Sequence, residues 1–157
     1  MRTVEVGNRS RRSLLGRRVA VADRPWSRLR GLLGRPEPEA GEGILFIPSR
    51  GVHMYGMRYP LDVVLADPDR RVVALYRGLR PWSRTRVHRS ARYALELPVG
   101  TIEASGTREG DLLEWGADVA SRSIGEGRGV GSAPSPGEGR DDELIKTRRP
   151  DQGAGAS

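Results

Sequence analysis

The 157-residue chain contains no cysteine. That absence excludes a disulfide framework, cysteine-ligated zinc or iron–sulfur centres, and thiol nucleophiles in one step. It leaves the redox compartment open, because a chain without thiols works in either. Long apolar runs are missing as well: nothing approaches the roughly 18 residues that a membrane-spanning helix requires. Ser10-Arg11-Arg12-Ser13-Leu14-Leu15 has the look of a twin-arginine export signal, but Arg17, Arg18 and Asp23 interrupt the apolar segment that would have to follow. A soluble, cytoplasmic protein with no membrane partner is therefore expected. Catalytic signatures are also lacking. There is no Ser-His-Asp ordering, nucleophile elbow or metal-ligand spacing, so no catalytic residue, metal site or cofactor is expected.

Lysine is nearly absent, with a single residue against 26 arginines. The net charge of +7 is unevenly spread. All of it falls within residues 1–118, and the segment Arg70 to Arg92 holds eight arginines and no acid. Tyr76, Trp82 and His88 are interleaved there, which is the composition a single-stranded nucleic-acid groove uses. A general bias toward Arg, Gly and Ala accounts for much of the excess, so weak nucleic-acid binding is the alternative partner expectation rather than the first.

Length and composition allow one domain, residues 1–117, followed by a disordered low-complexity tail at 118–157. Thr3–Val6 and Arg17–Ala22 alternate around a Gly7-Asn8-Arg9-Ser10 turn and read as a β-hairpin. Asp23 offers an N-cap and Pro25 a first turn, while Trp26, Leu29 and Leu32–Leu33 recur at helical spacing up to Gly34. These signals predict one amphipathic helix over about 24–33, buried through Trp26 and the leucines. Gly43–Ile47 is a short apolar strand closed by Pro48. Leu61–Ala66 and Arg71–Tyr76 flank an Asp67-Pro68-Asp69-Arg70 turn and should pair as an antiparallel hairpin. Leu79–Ser90 reads as a surface loop, and its Arg80-Pro81-Trp82-Ser83-Arg84 copies Arg24-Pro25-Trp26-Ser27-Arg28, a match taken as chance. Ala91–Leu97 is a further strand. Thr101 caps a short turn over about 101–105, stopped by Gly106, and Leu112–Trp115 is the last strand. The expected fold is mainly β: a small antiparallel barrel or sandwich with one helix and one helical turn.

The candidate site centres on Gly51–Asp67. His53, Tyr55 and Met57 project to one side of an extended segment, and Val52 and Met54 to the other. An imidazole beside a thioether is a soft-metal pair, but with no cysteine and no second histidine nearby Met57 is read as packing. Asp62 and Glu96 are carboxylates set into otherwise apolar strands, where each must find hydrogen-bond donors or open onto a cleft. If both face one cavity, they hold a cation or polyol or act as an acid/base pair. The expected ligand-binding set is His53, Met57, Asp62 and Glu96, rimmed by Arg77 and Arg80. The first reading is a non-catalytic domain for an unknown small polar or anionic ligand or a peptide. The alternatives are nucleic-acid binding and a hydrolase using Asp62 and Glu96 with His53 or His88 as base.

Several blocks in order carry a family resemblance: Val21-Ala22-Asp23, Arg28 to Arg35, Glu42 to Phe46, His53 through Met57-Arg58-Tyr59-Pro60-Leu61-Asp62-Val63-Val64, Gly78 to Pro81, Leu95 to Gly100, and Gly110-Asp111. Over roughly residues 1–116 the chain resembles the bacterial and archaeal domain-of-unknown-function family 192. The resemblance implies a small, mostly antiparallel β domain with short helices and implies no activity. Many relatives carry an export signal or lipoprotein anchor, and this chain looks like the cytosolic subset. Where relatives often have an aromatic pair before the methionine matching Met57, Tyr55-Gly56 stands here.

Overall fold

A computed structural model describes residues 1–116, without the side chains of residues 28–30. The expected tail at 118–157 lies outside the described residues. Seven strands form one curled sheet: β1 (Thr3–Asn8), β2 (Ser13–Ala22), β3 (Glu42–Phe46), β4 (Leu61–Ala66), β5 (Val72–Leu79), β6 (Tyr93–Leu97) and β7 (Leu113–Trp115). Their order across the sheet is β5-β4-β6-β3-β2-β1-β7. The outer strands β5 and β7 meet at one end. There Val72 N–H donates to the Asp111 carbonyl at 2.9 Å and Leu113 N–H to the Arg70 carbonyl at 2.9 Å, so the sheet curls into a half-barrel.

Both expected hairpins form, and the second shows why its turn residues are there. Asp67 Oδ1 accepts the backbone N–H groups of Asp69 and Arg71, each at 2.9 Å, while Arg70 takes a left-handed backbone with φ 66°. One strand pair departs from the all-antiparallel expectation: β2 and β3 run parallel. A parallel pair needs a crossover longer than a hairpin turn, and the segment 23–41 with its helix supplies it.

That helix, α1 (Pro25–Arg30), is shorter than predicted and begins one residue later. Ser27 closes its start by accepting the Arg24 N–H and donating to the Arg24 carbonyl, so Asp23 is not the cap. Gly31 ends it, and with the helix over by residue 30 the leucine pair no longer continues its face. Leu32 is buried, Leu33 is exposed, and Trp26 is 81% exposed, against the expected burial; the Leu29 side chain lies outside the described set. The two Arg-Pro-Trp-Ser copies adopt different backbones, Trp26 helical and Trp82 left-handed with φ 63°, as a chance match allows, although one local contact recurs. Ser83 Oγ donates to the Arg80 carbonyl just as Ser27 Oγ does to that of Arg24, and both tryptophans face solvent.

The sheet is apolar on both faces. Ile44, Phe46, Leu61, Val63, Leu65 and Ala94 face one core together with Leu32, Met54 and Met57. Leu45, Val64, Ala66, Leu95 and Leu97 face the other, with Val6, Val19 and Ile102. Strand β4 is therefore buried throughout, which is why its six residues read as a near-continuous apolar run with one carboxylate. At the far end, Asn8 Nδ2 donates to Asp111 Oδ2 at 2.9 Å and Arg11 Nε to the same carboxylate at 3.0 Å. Burial pushes Asp111 up, but these donors and the Arg108 N–H outweigh it and hold the carboxyl below its ordinary value.

Candidate functional site

Register decides which carboxylates can meet. In the β4–β6 pair Asp62 stands opposite Leu97, and Val63 opposite Glu96. Directly paired residues share a face, so Asp62 points into the Leu97–Ile102 core and Glu96 into the opposite one. The shared hollow expected for the two acids does not form, and neither does the paired-carboxylate hydrolase.

Asp62 is tied to scaffold. It is 1% exposed, and its two oxygens accept the Gly78 N–H and the Ile102 N–H, each at 2.9 Å. The β4–β5 register shifts between Leu61 and Val63, and Gly78 stands at that irregularity with φ 58°. Its N–H turns to the carboxylate in place of a regular ladder bond. Ile102 lies in the first turn of the second helix, α2 (Thr101–Ser105). Strand β4 thus supplies the cap that Thr101 was expected to give; Thr101 Oγ1 instead donates to the Pro98 carbonyl at 2.7 Å.

Glu96 is different. It is 5% exposed, and no described residue donates a hydrogen bond to it. Burial pushes its carboxyl up to about 8, so it holds its proton at neutral pH. Gly43 on β3 makes its strand's close approach possible, because a Cβ there would sit 2.6 Å from the Glu96 carbonyl oxygen. The Glu96 side chain opens onto a cavity of about 400 Å³. Leu32, Phe46, Val52 and Met57 form apolar wall, and Leu33, His53 and Tyr55 also line it. The His53 and Tyr55 rings stack with centroids 5.2 Å apart. Tyr59 packs against the same core, its hydroxyl 3.1 Å from the Pro36 carbonyl; burial, then the charges of Glu96 and Glu37, raises its pKa.

The 50–54 segment is held in place by the 82–88 loop. Met54 N–H donates to the Ser83 carbonyl and Trp82 N–H to that of Met54, at 2.8 and 2.9 Å. Thr85 Oγ1 accepts the Val52 N–H at 3.0 Å. Trp82 adopts a left-handed backbone with φ 63° and is 71% exposed.

Of the six expected site residues, His53, Met57 and Glu96 come together in this cavity. Asp62 does not, nor does Arg77, which borders a separate cleft with Ile102 and Arg108. Arg80 is exposed and lies outside the cavity lining. His88 Nε2 lies 2.8 Å from the Tyr76 hydroxyl and also stays out of it. A neighbouring cleft is basic: Arg50, Arg89 and Arg92 line it beside Pro48 and Ser49, which border both cavities. Sequence reading missed Leu32 and Phe46 as lining residues, because in a helix-like or strand-like run they carry the same signal as core. Among the described residues no helix is long and apolar enough to cross a membrane, and no group of three His, Asp or Glu is placed to hold a metal ion.

Relatives and structural neighbours include uncharacterised proteins and, at a TM-score of 0.58 and 28% identity over 71% of this chain and 91% of that one, a crystal structure titled a putative transcription regulator from Sinorhizobium meliloti. A UPF0127 protein of Thermococcus sibiricus is 34% identical over 113 residues, spanning 68% of this chain and 71% of that protein. Another from Thermococcus gammatolerans is 33% identical over 103 residues, spanning 62% and 65%. A crystal structure of a protein of unknown function from Novosphingobium aromaticivorans matches with a TM-score of 0.60 at 26% identity, covering 72% of this chain and 84% of that one. The sequence profile of DUF192, described as an uncharacterized ACR, matches residues 6–115, and the chain belongs to that family.

Proposed function

We propose that this domain is a non-catalytic binding module whose cavity takes a small ligand or the end of a peptide. One observation carries the reading: Glu96 is nearly buried, lacks a donor among the described residues, and opens onto a cavity of about 400 Å³. The Glu96 oxygens are not sealed off but open onto the cavity, where a ligand that hydrogen-bonds to them can take the place of solvent. The cavity's size and its mixed apolar and polar wall match those of small-molecule sites. With Asp62 engaged by backbone, Glu96 is the one carboxylate in the cavity lining among the described residues, so paired acid–base work has no second member among them. A thermal-melting screen of the full chain tests this. A ligand at about 100 times its dissociation constant stabilises by about 2.7 kcal/mol, a clear rise in midpoint. The rise should shrink in Leu33→Trp, which places a larger ring at the cavity mouth. Unchanged midpoints for every small molecule and peptide, up to millimolar concentration, would refute the binding role.

A second reading, single-stranded nucleic-acid binding through Arg70–Arg92, draws on Trp82, which is exposed between exposed Arg80 and Arg84. Other parts of the stretch are occupied. The Arg70 guanidinium lies 4.4 Å from the Trp115 ring centroid, Arg71 donates to the Gly110 carbonyl, and Tyr76 and His88 bond each other. Gel-shift titration with an oligonucleotide should show affinity falling steeply with salt and weakening in Trp82→Ala. No retardation at low salt would eliminate it.

A further inference from the structure

Resting on the binding role proposed above, we infer that the cavity selects a primary ammonium group carried on a small apolar body. Glu96 offers two acceptor oxygens at the cavity wall, and no described residue donates to them. Among the described residues no arginine or lysine lines the cavity, so none of them offers an anion a countercharge beside the acid. An alcohol would supply one donor to a neutral acid. An ammonium supplies three, and it also restores charge neutrality when the carboxyl ionises. Leu32, Phe46, Val52 and Met57 suit an aliphatic or aromatic body, and the stacked His53 and Tyr55 rings line the same cavity.

Proton balance makes the inference distinctive. Below about pH 8 the free protein holds Glu96 protonated. Binding an ammonium then forms an ammonium–carboxylate pair and releases one proton to the buffer. Affinity should rise about tenfold for each pH step up to that value and level off above it. Other titratable groups near Glu96 among the described residues have their own places. His53 and Tyr55 line the cavity, the Tyr59 hydroxyl lies by the Pro36 carbonyl, and Asp62 faces the opposite side of the sheet.

Isothermal titration of the full chain with 2-phenylethylamine, 2-phenylethanol and phenylacetate is the test, run at pH 7 and pH 8 in buffers of differing ionisation heat. The amine should bind at least about tenfold more tightly than the alcohol at pH 8, as an added charge-assisted pair requires. Phenylacetate should not bind, and at pH 7 the buffer dependence should report release of one proton. Glu96→Gln should remove the preference for the amine while the alcohol still binds. A short peptide with a free apolar N-terminal residue, set against its N-acetylated form, distinguishes a peptide end from a small amine as the source of the ammonium. If the alcohol binds as well as the amine, or if the preference survives in Glu96→Gln, ammonium selection is overturned and the binding role stands. If none of the probes binds, ammonium selection is overturned, and the melting screen decides the binding role separately.

Discussion

Replacing Glu96 by glutamine should leave stability nearly unchanged near pH 4 and raise it by about 4 kcal/mol at pH 8 and about 5 kcal/mol well above it. The cause is the carboxyl's burial, which lifts it from 4.5 to about 8 in the folded chain. Below 4.5 both folded and unfolded chains carry the proton, and the acid behaves like its amide. Between 4.5 and 8 the unfolded chain releases the proton and the native chain keeps it. Each pH step in that window therefore removes about 1.4 kcal/mol of folding stability, and the loss ends once the native acid ionises too. Glutamine has no proton to lose, so its curve lacks this slope. Subtracting the two curves also cancels the opposite trend from Asp111, whose lowered pKa gives stability that is lost as pH falls through its folded value. Urea unfolding of both proteins from pH 4 to 9 supplies the measurement. Parallel curves would mean that Glu96 is solvated or paired in the native state, and the cavity would lose its distinguishing group.

The second large effect belongs to the other buried acid and has the opposite sign. Asp62→Ala should destabilise the fold by about 3–4 kcal/mol, since it strands two buried backbone donors, the Gly78 and Ile102 N–H groups. Asp62→Asn should recover part of the loss, because its single carbonyl oxygen can accept one of the two donors while its amide faces the other. The same denaturation experiment at pH 7 reads both variants. Ligand binding gives an independent check: an Asp62→Asn chain that still folds should bind its ligand as the parent does, since the side chain faces away from the cavity. Loss of binding with retained fold would place Asp62 in the site after all.

Much of this architecture was legible in the chain. Alternation was enough for the strands Leu61–Ala66 and Tyr93–Leu97, and the turn residues Asp67–Arg70 for the hairpin that joins the first of them to β5. Helix α1 was legible in position but not in extent, because Trp26 and Leu32–Leu33 fit a helical period that the chain abandons at Gly31. Periodicity reports which residues could share a face and does not report where the backbone leaves the helix. Past that point Leu32 reaches the cavity wall, while Trp26 in the helix's first turn stays exposed.

The two acids mark the division most clearly. By itself the sequence established that each is embedded among apolar neighbours, and that Glu96 opposes Leu95 and Leu97 within its own strand. It also determined the family and the mainly β class. Which faces of neighbouring strands coincide is a matter of register, set by the whole sheet's packing, and moving one strand by a single residue exchanges its two faces. Only the tertiary structure, by pairing Asp62 with Leu97 and Val63 with Glu96, made one acid a brace for the fold and left the other facing a cavity.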